Sequence, residues 1–216
     1  MEITWYGHSC FRITERAEAT VVCDPYDHEL VGYSPLRLKA DIVTMSHDSP
    51  GHNFLKAVKP SPYIIRGAGE YEVGGVFITG LRTDKRTKNE NDQMPNTLYL
   101  IDYNGINIVH LGKMQQVPTQ TQVESLGPVH IVLVPVGGNS SLNAAKASEV
   151  ISLLEPSIVI PMQYETPDSK IKMDPIGKFL KEMGLSSVET LPTLKVTSLA
   201  ALPEETQVVV LDYPHE

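Results

Sequence analysis

Several short apolar runs in this chain are followed by side chains able to do chemistry. Ile42-Val43-Thr44-Met45 leads into His47 and, five residues on, His52. Residues 106–109 lead into His110, with Lys113 shortly after, and residues 158–162 lead into Gln163. Near the N-terminus a Gly7-His8-Ser9 turn presents His8, and Asp24 follows Val21-Val22-Cys23. Layered folds place their sites at the ends of buried strands. Imidazole is the commonest protein metal ligand, and carboxylate is its usual partner. His47, His52 and His110 therefore form a candidate metal set, with His8, Asp24 and Asp48 as supplements. The spacing of His47 and His52 is not specific for zinc, and each histidine also reads as a loop residue with a local hydrogen bond. Ser49 lies between two histidines, as an activated serine would, but Pro50 beside it favours ordinary loop chemistry.

The elements that must carry these residues are legible from periodicity. Alternation at Ile3, Trp5, Phe11 and Ile13 predicts strands, and residues 20–23 and 42–45 predict two more. Residues 26–40 read as loop. Asn53 is the expected cap of a short helix over 54–58. Strands are expected at 63–65, 71–73 and 76–79, followed by an almost wholly polar loop over 82–95. Asn104-Gly105 between 96–103 and 106–110 predicts a hairpin with a type I′ turn. Beyond it the period changes. Helices are expected over 118–126, 142–154 and 176–183, with strands over 131–136, 158–162 and 207–211. A β-rich stretch thus precedes αβαβ units, and one domain over 1–216 accounts for the chain.

Composition narrows the partners. The chain has 216 residues, 41% hydrophobic and 20% charged, enough for a sizeable core without disulfides. Two cysteines exclude a disulfide framework and a four-cysteine zinc site. Eighteen basic residues against 26 acidic ones give a net charge of −8, which disfavours nucleic acid and anionic membrane surfaces. No apolar run approaches the ~20 residues of a membrane helix. No secretory signal is readable at the N-terminus, so a cytoplasmic protein is expected. The glycines at 67–69 and 74–75 complete no dinucleotide fingerprint.

Larger blocks carry a resemblance. Ile3-Thr4-Trp5-Tyr6-Gly7-His8-Ser9-Cys10-Phe11-Arg12-Ile13, Cys23-Asp24-Pro25 and Ala40-Asp41-Ile42-Val43-Thr44-Met45-Ser46-His47 occur in that order. Gly69-Glu70-Tyr71-Glu72-Val73-Gly74-Gly75-Val76, Val134-Pro135-Val136-Gly137-Gly138-Asn139 and Ile158-Val159-Ile160-Pro161-Met162 follow. Together they resemble a branch of the metallo-β-lactamase superfamily that includes a sugar-phosphate lactonase. The resemblance implies an α/β fold, a four-layer αββα sandwich, with a dinuclear zinc or manganese site. It also implies a His-x-His-x-Asp-His loop, a later histidine, a bridging aspartate three residues after that, and a last histidine.

Here that ligand pattern is degraded. His47, His52 and His110 match family histidines, but Ser49 and Gln163 replace the other two. Gly51 replaces the loop aspartate and Lys113 the bridging one. Two divalent ions within ~4 Å place four positive charges together. Without carboxylates, and with a lysine added, attraction becomes repulsion of about 4 kcal/mol per unit pair at 4 Å and an effective dielectric of 20. The retained histidines thus permit at most one Zn or Mn ion, or none. His8, Asp24, Asp48, Ser49, Lys113 and Gln163 are expected to line the pocket, with Lys113 bonded to Asp24 or Asp48.

Two functions follow. One is a hydrolase of the superfamily acting on a small ester, lactone or phosphoester. The other is a catalytically inactive pseudoenzyme binding a small anionic molecule or a protein partner. Metal-free acid–base chemistry by the His/Lys cluster ranks behind both. Homo-oligomers are common in the resembling branch, and the sequence leaves assembly open.

Overall fold

The computed structural model describes residues 1–83 and 95–215. Most of the polar loop expected over 82–95 lies outside the described residues.

The first 66 residues and one late strand build a six-stranded sheet in the order Leu194–Lys195, Glu2–Trp5, Phe11–Thr14, Val21–Cys23, Ile42–Met45 and Tyr63–Arg66. Its first three pairings are antiparallel and its last two parallel. Phe11–Thr14 alternates buried and half-buried residues, as a strand with one covered face should. A seven-stranded sheet, drawn from residue 69 onward, runs Gln207–Val208, Ile158–Met162, Ile131–Pro135, Ile106–His110, Thr97–Tyr103, Val76–Arg82 and Gly69–Val73. Ile131–Pro135 and Ile158–Met162 are buried at every residue, because parallel strands covered on both faces must be apolar throughout.

The expected hairpin is present. Asn104 and Gly105 both have positive φ, 52° and 85°, as a type I′ turn requires, and Tyr103 pairs with Ile106. Two tyrosines of the Thr97–Tyr103 strand tie the sheets together. The Tyr99 hydroxyl donates to the Met45 carbonyl at 2.9 Å, and that of Tyr103 to the Ala19 carbonyl at 2.6 Å. Both rings are fully buried in the shared core.

Helix Ala144–Leu154 starts at Asn143, whose side chain accepts from the Lys146 amide, and it buries Ala147, Val150, Ile151 and Leu154. That i, i+3, i+4, i+7 stripe keeps it on the sheet, each large side chain contributing about 1.5–3 kcal/mol. Helix Gln120–Leu126 opens on a capping box between Thr119 and Gln122. With Ile176–Glu182, these longer helices all belong to the second half. The first half carries only single turns, so the helical layers of the sandwich are unequal.

Two local expectations are corrected. The helix expected over 54–58 is one 3₁₀ turn, Leu55–Ala57, with no side-chain cap. Asn53 turns back instead, its amide donating to Asp48 Oδ1 at 2.7 Å. Within 26–40 lies an unexpected helix, His28–Val31, capped by Asp27, and a strand Leu38–Lys39 paired to Val58–Lys59. Such short elements carry no readable period. Among the described residues no helix is long and apolar enough to cross a membrane.

Candidate functional site

Both sheets bring the C-terminal ends of their parallel strands to one place, as open α/β sheets do. Strand Ile42–Met45 delivers His47, Ser49 and His52. Ile106–His110 delivers His110 and Lys113, and Ile158–Met162 delivers Gln163. His8 enters from the turn between the first two strands. His8, Asp24 and Gln163 have φ of 50°, 45° and 52°. A left-handed non-glycine residue costs about 1–3 kcal/mol, and such strain gathers where a fold aims side chains.

A chain of hydrogen bonds runs through the centre of the site. Gln163 Nε2 lies 3.2 Å from the Gly112 carbonyl and 3.3 Å from His52 Nε2. His52 Nδ1 lies 3.0 Å from Ser49 Oγ, which is 3.0 Å from His47 Nδ1. The directions follow from donor chemistry. A carbonyl only accepts, so the Gln163 atom facing Gly112 is the amide nitrogen, a donor. His52 Nε2 must then accept, which puts the His52 proton on Nδ1. That proton is donated to Ser49 Oγ, leaving the serine hydroxyl to donate to His47 Nδ1. These tautomers are assigned from the network. Burial, with His8, His47 and Lys113 adding charge repulsion, pushes His52 well below the ordinary histidine range and keeps it neutral.

His110 belongs to a second, closed arrangement. It is fully buried. Its Nε2 donates to the Ser9 carbonyl at 2.9 Å, and its Nδ1 accepts from the Gly112 amide at 3.2 Å. Burial drives its pKa down to about 4, opposed by the Ser9 carbonyl. Asp24 is equally buried. Its carboxyl is held by the Ser46 amide at 2.7 Å and the Ser46 hydroxyl at 2.5 Å, while His110 Nδ1 stays 4.0 Å away. Desolvation pushes Asp24 up to about 8, against the Ser46 hydrogen bonds.

This donor chemistry does not fit a metal. His110 has its lone pair on the Gly112 amide, His52 has its lone pair on the Gln163 amide, and His47 Nδ1 holds the Ser49 hydroxyl. Among the described residues no three His, Cys, Asp or Glu side chains are grouped to hold an ion. The structure therefore does not assemble His47, His52 and His110 as a ligand set. At Gly51, which the resemblance aligns with the loop aspartate, an added Cβ would stand in tight contact, 3.1 Å, with His8 Nε2.

The remaining candidates separate. His8, Ser49, His52, Lys113 and Gln163 line one cavity of about 100 Å³. Asp24 lies behind it, and exposed Asp48 is spent on Asn53. The expected bond from Lys113 to Asp24 or Asp48 is absent. Lys113 has no carboxylate partner among the described residues, and burial pulls its pKa down. Its charge is nonetheless felt by His8, which burial and Lys113 together drive to about 3. His8 Nδ1 is buried without a hydrogen-bond partner among the described residues.

Sequence reasoning missed the opposite wall, Gly138-Asn139-Ser140-Ser141 with Ile171 and Met173. The signal was the Gly137-Gly138 pair. A Cβ on Gly137 would meet the Gln163 carbonyl at 2.0 Å, so only glycine lets this loop approach the end of the neighbouring strand.

Comparison with known proteins agrees with this frame. The model of a family described as the beta-lactamase superfamily domain matches residues 2–163. A Thermotoga maritima protein, described as a candidate Zn-dependent hydrolase of the metallo-β-lactamase superfamily, is 34% identical, with a TM-score of 0.81 over 99% of both chains. A UPF0173 protein of Pyrococcus furiosus is 26% identical over 192 residues, covering 77% of this chain and 84% of its own. A UPF0173 metal-dependent hydrolase of Methanosarcina barkeri is 26% identical over 206 residues, covering 81% and 87%.

Proposed function

This chain belongs to the β-lactamase superfamily, and from that premise we propose that it keeps the hydrolase fold without the metal centre and uses the pocket for a small anionic molecule. Relatives are named metal-dependent hydrolases, and the pocket at the strand ends is taken as the counterpart of their site. The observation that carries the reading is Lys113. By the resemblance it takes the position of the metal-bridging carboxylate; it is half-buried, on the cavity wall and, among the described residues, without an acidic partner. A buried cation lacking a counter-charge favours an anion beside it. Ser49, Ser140, Ser141 and Gln163 supply neutral polar groups around it.

A cavity of about 100 Å³ suits a group the size of a phosphate or carboxylate, far below the ~300–1,000 Å³ of ordinary ligand clefts. The ligand is therefore the anionic head of a small ester, lactone or phosphoester, or its hydrolysis product.

Protein purified without chelator should carry far less than one zinc or manganese per chain. Neither metal should raise its melting temperature. Inorganic phosphate should raise it, and Lys113→Met should abolish that rise. A stoichiometric ion, lost in His52→Ala, would show a metal centre and end the metal-free reading.

A further inference from the structure

The hydrogen-bond chain through the site does more than fill the place of a metal. We propose that Ser49 is a nucleophile for acyl transfer, with His47 as its general base and Gln163 and His52 as the residues that set the direction of its proton. The inference deepens the metal-free reading above and rests on it.

The direction is imposed from outside the pair. Gly112 offers a carbonyl, so Gln163 must present its amide nitrogen there and to His52 Nε2. The opposite His52 tautomer would set N–H against N–H. With the His52 proton on Nδ1 pointing at Ser49 Oγ, the serine hydroxyl has, among the described residues, one partner for its own hydrogen, His47 Nδ1. A hydroxyl that accepts from one imidazole and donates to a second is polarised toward release of its proton, the condition that activates a weak nucleophile.

The loop holds this geometry. The His52 amide donates to the Ser49 carbonyl at 2.8 Å, and the Asp27 amide to the Pro50 carbonyl at 2.9 Å. Ser49 is also on the cavity wall, facing a space shared with Lys113. A cation there suits the oxyanion of a tetrahedral intermediate.

The step balances without a metal or cofactor. Ser49 Oγ bonds to the carbonyl carbon as its proton passes to His47 Nδ1. The ester or lactone C–O bond breaks, and the leaving oxygen takes that proton. Water then attacks the acyl-serine, giving one proton to His47, which returns it to Ser49 Oγ as the acid departs.

Methanesulfonyl fluoride is small enough for the cavity and reports the same first step: an S–O bond forms, fluoride leaves, and the hydroxyl proton goes to His47. Intact-mass measurement and peptide mapping should find one adduct, on Ser49. Ser49→Ala should remove it, and His47→Asn should slow it about a hundredfold, the usual weight of a general base. Gln163→Glu tests the positioning role, because a carboxylate accepts from His52 Nε2 and reverses the chain. In that variant labelling should persist but depend on His52, and adding His47→Asn should no longer slow it. Far-ultraviolet dichroism checks that each variant is folded. If Ser49→Ala does not fold, alkylation of Ser49→Cys by iodoacetamide, slowed by His47→Asn, replaces it. No adduct on wild type, an adduct elsewhere, or a rate indifferent to His47 would overturn the proposal. Phosphate stabilisation intact in such a protein would sink the nucleophile alone. A bound ion would sink the metal-free reading with it.

Discussion

His110 with Asp24, and His47 with Ser49 and His52, stand at or just past the ends of similar strands, yet their hydrogen bonds differ in kind. His110 spends both ring nitrogens on backbone, the Ser9 carbonyl and the Gly112 amide, at complete burial. His47 Nδ1 and His52 Nδ1 both bond the Ser49 hydroxyl, on a residue that lines a cavity, and His52 Nε2 meets Gln163. On the proposed reading, the same residue type is scaffold in one place and machinery in the other. Contact with backbone or with the cavity decides which.

The sharpest way to break the comparison is to truncate one histidine from each group. His110→Ala orphans a buried carbonyl and a buried amide and leaves a hole, so it should cost about 4 kcal/mol in urea unfolding. His47→Ala, at a partly exposed position, should cost about 1 kcal/mol or less. Equal losses would show that both sets are scaffold.

The next effect is a pH dependence. Asp24 has a folded pKa of about 8, above its unfolded value, so its share of stability is complete below about pH 4 and is lost as pH rises through 8. Asp24→Asn cannot ionise and escapes that loss. Unfolding curves should therefore favour the variant increasingly from pH 4 to pH 8. A constant difference would mean that the carboxyl is not held in its neutral form.

The smallest effect sharpens the contrast at the surface. Asp48→Ala removes only the exposed bond to Asn53 and should change stability by less than about 0.5 kcal/mol, with phosphate binding unchanged. A loss of phosphate binding would put Asp48 back in the pocket.

Much of the frame was legible. Alternation at Ile3, Trp5, Phe11 and Ile13, the Asn104-Gly105 turn and the apolar stripe of the 144–154 helix each have a local physical cause, and the structure shows them where expected. The short helix at 28–31 and the 3₁₀ turn at 55–57 were missed or misread, because one turn of chain is too short to show a period. Of the residues expected to line a pocket, His8, Ser49, Lys113 and Gln163 border the cavity, and so does His52, expected as a metal ligand. His110 and Asp48 were placed with them by spacing, and their partners drew them elsewhere.

The chain alone pointed to the superfamily, because residue types and their order need no folding to be read. Only the tertiary structure decided that His110 is closed off, that Gly51 makes room for His8, and that the Ser49 proton points to His47. Those outcomes depend on groups far apart in sequence, such as Ser9 and His110, 101 residues away. Hydrogen-bond direction is a property of which donor meets which acceptor, and folding alone sets that meeting.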